Sequence, residues 1–150
     1  MDEYVSAVKK IHDHGMEVIG EFVFGFDHDT PDIFDKTYEA IIKMKVDNPA
    51  LNILTPYPGT PLFNRLEKEG RILTKDWSKY NLWNVVFKPK HMTEKQLLDG
   101  TIKLYEDLYS TSNTFKRIIK SLRLGIYPFY TTSAQNIKFW FDIIKSKKSK

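Results

Sequence analysis

The stretch from Leu51 to Arg71, LNILTPYPGTPLFNRLEKEGR, does most to limit what this chain can fold into. A short apolar run stops at Pro56, turns through Tyr57, Pro58 and Gly59, and restarts with Thr60 and Pro61 placed as N-cap and first helical residue. That order is strand, rigid turn, helix. A loop that follows a strand and opens a helix is where parallel α/β folds put their ligands, because strand ends and helix N-termini both offer unpaired backbone N–H groups. A stiff connector that serves packing alone is the commoner use of such a turn.

The segments on either side extend the pattern. Tyr4, Val8 and Ile11 recur at helical spacing and Gly15 closes that helix. His12 and His14 fall near its end, where they complement the helix dipole; two residues apart, they face different ways and make a poor metal pair. Met16 to Phe26 predicts a buried strand rich in Val, Ile and Phe. Its two glycines, Gly20 and Gly25, point to close approach of a ligand or another backbone. Glu21 needs a partner there, either a buried cation or a polar contact in a barrel lumen. Thr30 and Pro31 open a helix that runs to Val46 and is ended by Asp47, Asn48 and Pro49, and Ala50 to Thr55 forms the next strand. A helix of that length returns the chain to the same end of the sheet, so the strands are parallel and their C-terminal ends, 25–29 and 55–60, share one rim.

The 150 residues, 41% hydrophobic and 28% charged, suit one domain or one and a half. Met1 to Gly15 is charged and amphipathic rather than a signal peptide, and no apolar run reaches membrane-spanning length, so the expected location is cytoplasmic. The absence of cysteine excludes disulfides, thiolate metal sites and a cysteine nucleophile.

Gly20 to Thr30, GEFVFGFDHDT, followed by a helix, LTPYPGTPLF and EKEGRI, resembles the fifth and sixth strand units of the radical S-adenosylmethionine (SAM) superfamily, in particular its members with a cobalamin-binding domain. Ile72 to Ser110, with Trp77, Tyr80, Val85-Val86-Phe87, Pro89 and Met92-Thr93, is similar to the uncharacterised extension that follows the barrel in some of them. The resemblance covers about residues 4 to 110. It implies that Gly25, Asp27 and Asp29 lie against the adenosine of SAM and that Leu54, Thr55 and Pro56 flank the adenine through backbone groups. The family's adenosine strand, Gly-x-Ile-x-Gly-x-x-Glu, is met by Glu21, Val23, Gly25 and His28, so only the second glycine is identical. Asp27 and Asp29 flank the expected acid and suit a ribose hydroxyl, or else form the turn before the helix. The family's 4Fe-4S cluster sits on three cysteines early in the barrel, so cluster and cobalamin would come from regions absent here: an N-terminal barrel and a cobalamin domain in the same chain or another. Without them this chain alone is not expected to be catalytic.

After Gly70 the irregular spacing of Trp77, Tyr80, Leu82 and Trp83 predicts a cover over the barrel rim that either walls a substrate cavity or plugs a core. Thr93 and Gln96 fit a capping box that opens a helix to about Tyr109, and Ser110 to Asn113 breaks the chain. A further helix places Phe115, Ile118, Ile119 and Leu122 on one side, with Lys116, Arg117, Lys120 and Arg123 on the other. Gly125 and Pro128 separate it from a last helix, Ala134 to Ile144. Residues 1–110 hold 14 Lys or Arg against 18 Asp or Glu, and residues 111–150 hold 9 against 1, net −4 and +8. The basic amphipathic stretch 113–150 is read as a hairpin packed on the body with a solvated tail; the alternative is a binding module that docks peripherally on an anionic membrane surface or, less in keeping with its aromatics, on nucleic acid. The resulting expectation is an α/β chain: residues 1–72 a partial parallel (βα) barrel unit, and residues 73–150 a mainly α-helical C-terminal region.

Overall fold

The computed structural model describes residues 1–148. The chain is α/β and mostly helical: α1 (Asp2–Asp13), β1 (Ile19–Phe24), α2 (Ile33–Met44), β2 (Asn48–Ile53), α3 (Pro61–Lys68), α4 (Glu94–Leu108), α5 (Thr111–Ser121) and α6 (Ile126–Lys148). Short 3₁₀ turns lie at Trp77–Lys79 and Leu122–Leu124. β1 and β2 pair in one sheet. Asn48 N–H donates to the Val18 carbonyl at 3.2 Å and Leu54 N–H to the Phe24 carbonyl at 2.9 Å, so both chains advance in the same direction and the strands are parallel.

Two compact units result, one from Met1–Glu21, Asp35–Ala50 and the chain from Leu104 on, the other from Phe22–Phe34 and Leu51–Lys103. In the second unit Phe24, Leu51, Ile53, Leu66, Val86, Phe87 and Leu97 are almost fully buried. Thr60 caps α3 by accepting from Phe63 N–H at 3.2 Å, and Pro61 sits in the first turn where its missing N–H costs nothing. The capping box of α4 is reciprocal, with Gln96 N–H on the Thr93 hydroxyl at 3.1 Å and Thr93 N–H on the Gln96 amide oxygen at 2.8 Å. Between these helices Ile72 and Phe87 form an antiparallel bridge.

The first unit has an unusually polar interior. Asn136 and Thr132 are fully buried, Asn48 and Asp47 nearly so. The Asn136 amide donates to the Asp47 carbonyl, the Asn48 side chain and the Thr132 carbonyl, while its oxygen accepts from Arg117 Nε at 2.6 Å. Glu17 accepts from Asn48, Thr131 and Thr132. Asn136 and Glu17 are thereby satisfied, which is the condition for burying such groups without penalty, whereas Thr114 Oγ1, Ser133 Oγ and Arg117 Nη2 are buried without a partner.

Several expectations change. His12 does more than complement the dipole at the end of α1: its Nε2 lies 2.8 Å from Asp47 Oδ2, and both side chains are 8% exposed. Glu21 stands on the exposed face of β1 with Ile19 and Val23, so no buried ion pair forms there. α2 ends before Val46, because Lys45 takes a left-handed φ of 61° and the N–H groups of Val46 and Lys45 cap the carbonyls of Ile41 and Ile42. That is the closure glycine makes after α1 and α3; Asn48 and Pro49 belong to β2. α6 begins at Ile126, directly after Gly125, since Pro128 falls in its first turn.

The largest change is in α5. Its buried residues are Thr114, Arg117 and Ser121, whereas Phe115, Ile119 and Leu122 are half or more exposed. The face expected to pack is outward and part of the face expected to be solvated is inside. Arg117 goes inward because Asn136 accepts from its Nε and the Tyr109 ring lies 4.7 Å beneath its guanidinium. The last two residues of the basic stretch 113–150 lie outside the described residues.

Candidate functional site

The residues that the sequence singles out around the two strand ends all belong to the second unit. The hydrogen bond from Leu54 N–H to the Phe24 carbonyl fixes the end of β2 beside the end of β1. Gly25 follows at once, buried and with φ 105°. A Cβ there would meet Leu97 Cδ2 and Phe87 Cζ, each at 3.0 Å, and Leu54 Cβ at 3.7 Å. Side chains of the segment after α3 thus use the close approach that a glycine permits. Thr55 and Pro56 are buried, with the Thr55 hydroxyl donating to the Ile53 carbonyl at 3.1 Å, and Leu54 is half-buried. Tyr57 is exposed on the turn.

The two carboxylates after Gly25 go separate ways. Asp29 Oδ2 accepts from Gly25 N–H at 2.8 Å and from Phe26 N–H at 2.9 Å, closing the loop that leads to α2. Asp27 is gripped by cations. It accepts from Arg65 and from Arg71 Nη1, the latter at 2.9 Å, and Lys90 Nζ is 3.8 Å away. Arg71 also donates to Glu69 at 2.9 Å and, through Nε, to the Lys88 carbonyl at 2.7 Å. The sequence reading missed this cluster; its signal was EKEGR itself, in which Arg71 falls just past a helix-ending glycine.

The hydrogen bond from Arg65, and after it that from Arg71, hold the Asp27 carboxyl at about 2, below its ordinary 3.8. A folded value below the unfolded one stabilises the fold above the unfolded value and loses that contribution as pH falls from about 4 towards 2. With the side chain 19% exposed, discounting for solvent leaves about 1–2 kcal/mol. Asp27→Asn is expected to cost that amount at pH 7 and to flatten the stability profile between pH 4 and 2, read by urea denaturation across pH. An unchanged acid limb would mean that the ion pairs contribute nothing.

Among the described residues no group of three or more His, Cys, Asp or Glu could hold a metal ion. An iron–sulfur cluster needs thiolate ligands, and the chain has no cysteine, so its residues do not fit a resident cluster. Asp27 and Asp29, committed to Arg65, Arg71 and backbone N–H groups, also form no acid/base pair.

Comparison with known proteins bears on the setting. Residues 60–144 match the family of the domain of unknown function DUF4070. The chain is 36% identical over 118 residues to the bacteriochlorophyllide d C-12(1)-methyltransferase of Chlorobaculum tepidum, covering 79% of this chain and 25% of that protein. It is 29% identical over 113 residues to the anaerobic magnesium-protoporphyrin IX monomethyl ester cyclase of Cereibacter sphaeroides, covering 75% of this chain and 18% of that protein. An uncharacterised methyltransferase of Pyrococcus horikoshii is 32% identical over 105 residues, 70% of this chain and 23% of its own. The chain thus spans a quarter or less of the length of these relatives. With a family match over more than half its length, the chain belongs to the DUF4070 family, as the C-terminal part of a radical SAM superfamily protein.

Proposed function

We propose that this chain supplies the adenosine-side wall and the substrate cover of a longer, cobalamin-associated radical SAM enzyme. In this reading residues 1–72 are the last units of its parallel (βα) barrel and residues 73–150 the extension. SAM lies against Gly25, Asp27, Asp29, Leu54, Thr55 and Pro56. The 4Fe-4S cluster and cobalamin would be held by the missing N-terminal barrel and cobalamin domain. The observation that carries the reading is the joined pair of strand ends, with Leu54 N–H on the Phe24 carbonyl and Gly25 next to Leu54. Parallel folds bind ligands at that end of their strands. The packing of Phe87 and Leu97 on Gly25 supports a role for the segment after α3 in excluding water there. The names of the relatives support methyl transfer or ring closure on a tetrapyrrole as the reaction of the whole protein.

In the longer protein with its cluster reconstituted, Leu54→Lys is expected to weaken SAM binding at least roughly tenfold, since it sets a charge against the adenine wall. Unchanged binding in equilibrium dialysis would remove the adenosine assignment. The denatured mass of the gene product in its own cells should be several times 17.6 kDa. A band at 17.6 kDa would leave a cysteine-free protein standing alone and would favour a second reading, a non-catalytic module peripheral to an anionic membrane. The exposure of Phe115, Ile119, Leu122 and Ile126 beside Lys116 and Lys120 supports that second reading. No helix among the described residues is long and apolar enough to cross a membrane. Recovery of all the protein in the supernatant after sedimentation with phosphatidylglycerol vesicles would end it.

A further inference from the structure

The first unit contains a cleft of about 280 Å³ between α2 and α5. Five cationic side chains line it, Lys45, Lys116, Arg117, Lys120 and Arg123, against a single carboxylate, that of Asp47. Asp47 is already engaged by His12 and by Val18 N–H. Among the described residues none of the five cations forms an ion pair with a carboxylate.

Arg117 is the decisive residue. It is only 8% exposed, its Nε is taken by Asn136 and its plane rests on Tyr109, yet Nη2 is buried with no hydrogen-bond acceptor. A buried guanidinium ordinarily carries a carboxylate, because an uncompensated charge in the interior is costly. Burial duly pulls the Arg117 value below its ordinary one. The side chain is held by Asn136 and Tyr109 and lines a cleft that four more cations share. The Tyr38 hydroxyl oxygen accepts from Asn113 at 3.1 Å, which leaves its own proton for an acceptor in the same cleft.

We propose that this cleft binds a phosphate-bearing ligand, with the guanidinium of Arg117 as the buried anchor and Lys45, Lys116, Lys120 and Arg123 around it. A single carboxylate would balance one of the five charges, whereas a phosphate dianion offers three terminal oxygens to guanidinium and ammonium donors. The volume admits one phosphate with a small organic group, for which Ile41, Ile42 and Val46 form an apolar wall. A nucleic acid backbone would follow an extended basic surface instead. The site is independent of the adenosine-side reading, whose residues lie in the second unit.

The test is titration of the whole chain with phenyl phosphate at constant ionic strength, followed by amide NMR. Saturable one-to-one shifts at Lys45, Asn113 and Arg117 are expected. Lys116→Gln with Lys120→Gln, both exposed, should weaken binding at least about tenfold without altering the rest of the spectrum. Arg117→Lys should retain part of it. Non-saturating shifts that chloride and sulfate produce equally, or affinity that ignores the lysine pair, would overturn the proposal. A second arm uses phosphatidylcholine vesicles with and without phosphatidic acid. Recruitment that needs phosphatidic acid, is competed by phenyl phosphate and is lost in the lysine variant identifies a lipid headgroup. Saturation by phenyl phosphate without recruitment identifies a free phosphorylated compound, and failure of both arms refutes the site.

Discussion

Asp47→Ala is expected to lower the stability of the first unit by about 3 kcal/mol, the cost of stranding its buried partners. Asp47 is 5% exposed, and one carboxylate oxygen takes both the His12 ring nitrogen at 2.8 Å and Val18 N–H at 2.9 Å. Alanine leaves the backbone hydrogen bond to Val18 in place, so the register of β1 and β2 survives while two donors lose their acceptor. Asp47→Asn keeps an oxygen for Val18 and should lose less than half as much. His12→Ala added to Asp47→Ala should cost less than the two single changes together, because the stranded imidazole is then gone. Urea denaturation of the four proteins reads the cycle. A loss below about 1 kcal/mol for Asp47→Ala would place the carboxylate among groups that water can serve once the side chain is cut back.

The Asp47 network also marks what the sequence could and could not reveal. Thr60 with Pro61, Thr93 with Gln96, and Gly15 and Gly70 were legible because each acts on backbone groups within a few residues, and the structure has all of them in the expected role. The parallel pair β1 and β2 was legible because a helix between strands leaves few ways back. His12 was misjudged because its partner is 35 residues away. α5 was turned the wrong way round because apolar periodicity assumes that polar residues face water, and Asn136 and Tyr109 reward the burial of Arg117 instead. The same limit applies to the candidate site. Gly25 and Asp29 sit in a loop that its own sequence explains, whereas the commitment of Asp27 to Arg65 and Arg71 depends on side chains 38 and 44 residues later.

Gly100→Ala should destabilise the second unit by about 1–3 kcal/mol, against the gain of about 1 kcal/mol that alanine ordinarily brings to a helix interior. Gly100 lies within α4, and a Cβ there would run into the ring of Phe34, well inside contact distance of Cε2, with Cζ at 2.6 Å. The ring has little room to retreat: Phe34 is 8% exposed and packs on Phe24 with centroids 5.1 Å apart. Either ring or helix must shift, and the packing around Phe24 shifts with it. Phe34→Leu alone should cost about 1–2 kcal/mol through the volume it removes. In that background Gly100→Ala has space, so the pair should cost clearly less than the sum of its parts, and the helix-propensity gain should reappear. Thermal denaturation of the two single variants and the double variant decides the matter. A stabilising Gly100→Ala in the parent chain would mean that α4 and Phe34 are not held in this contact, and that the glycine is there for a reason other than the ring.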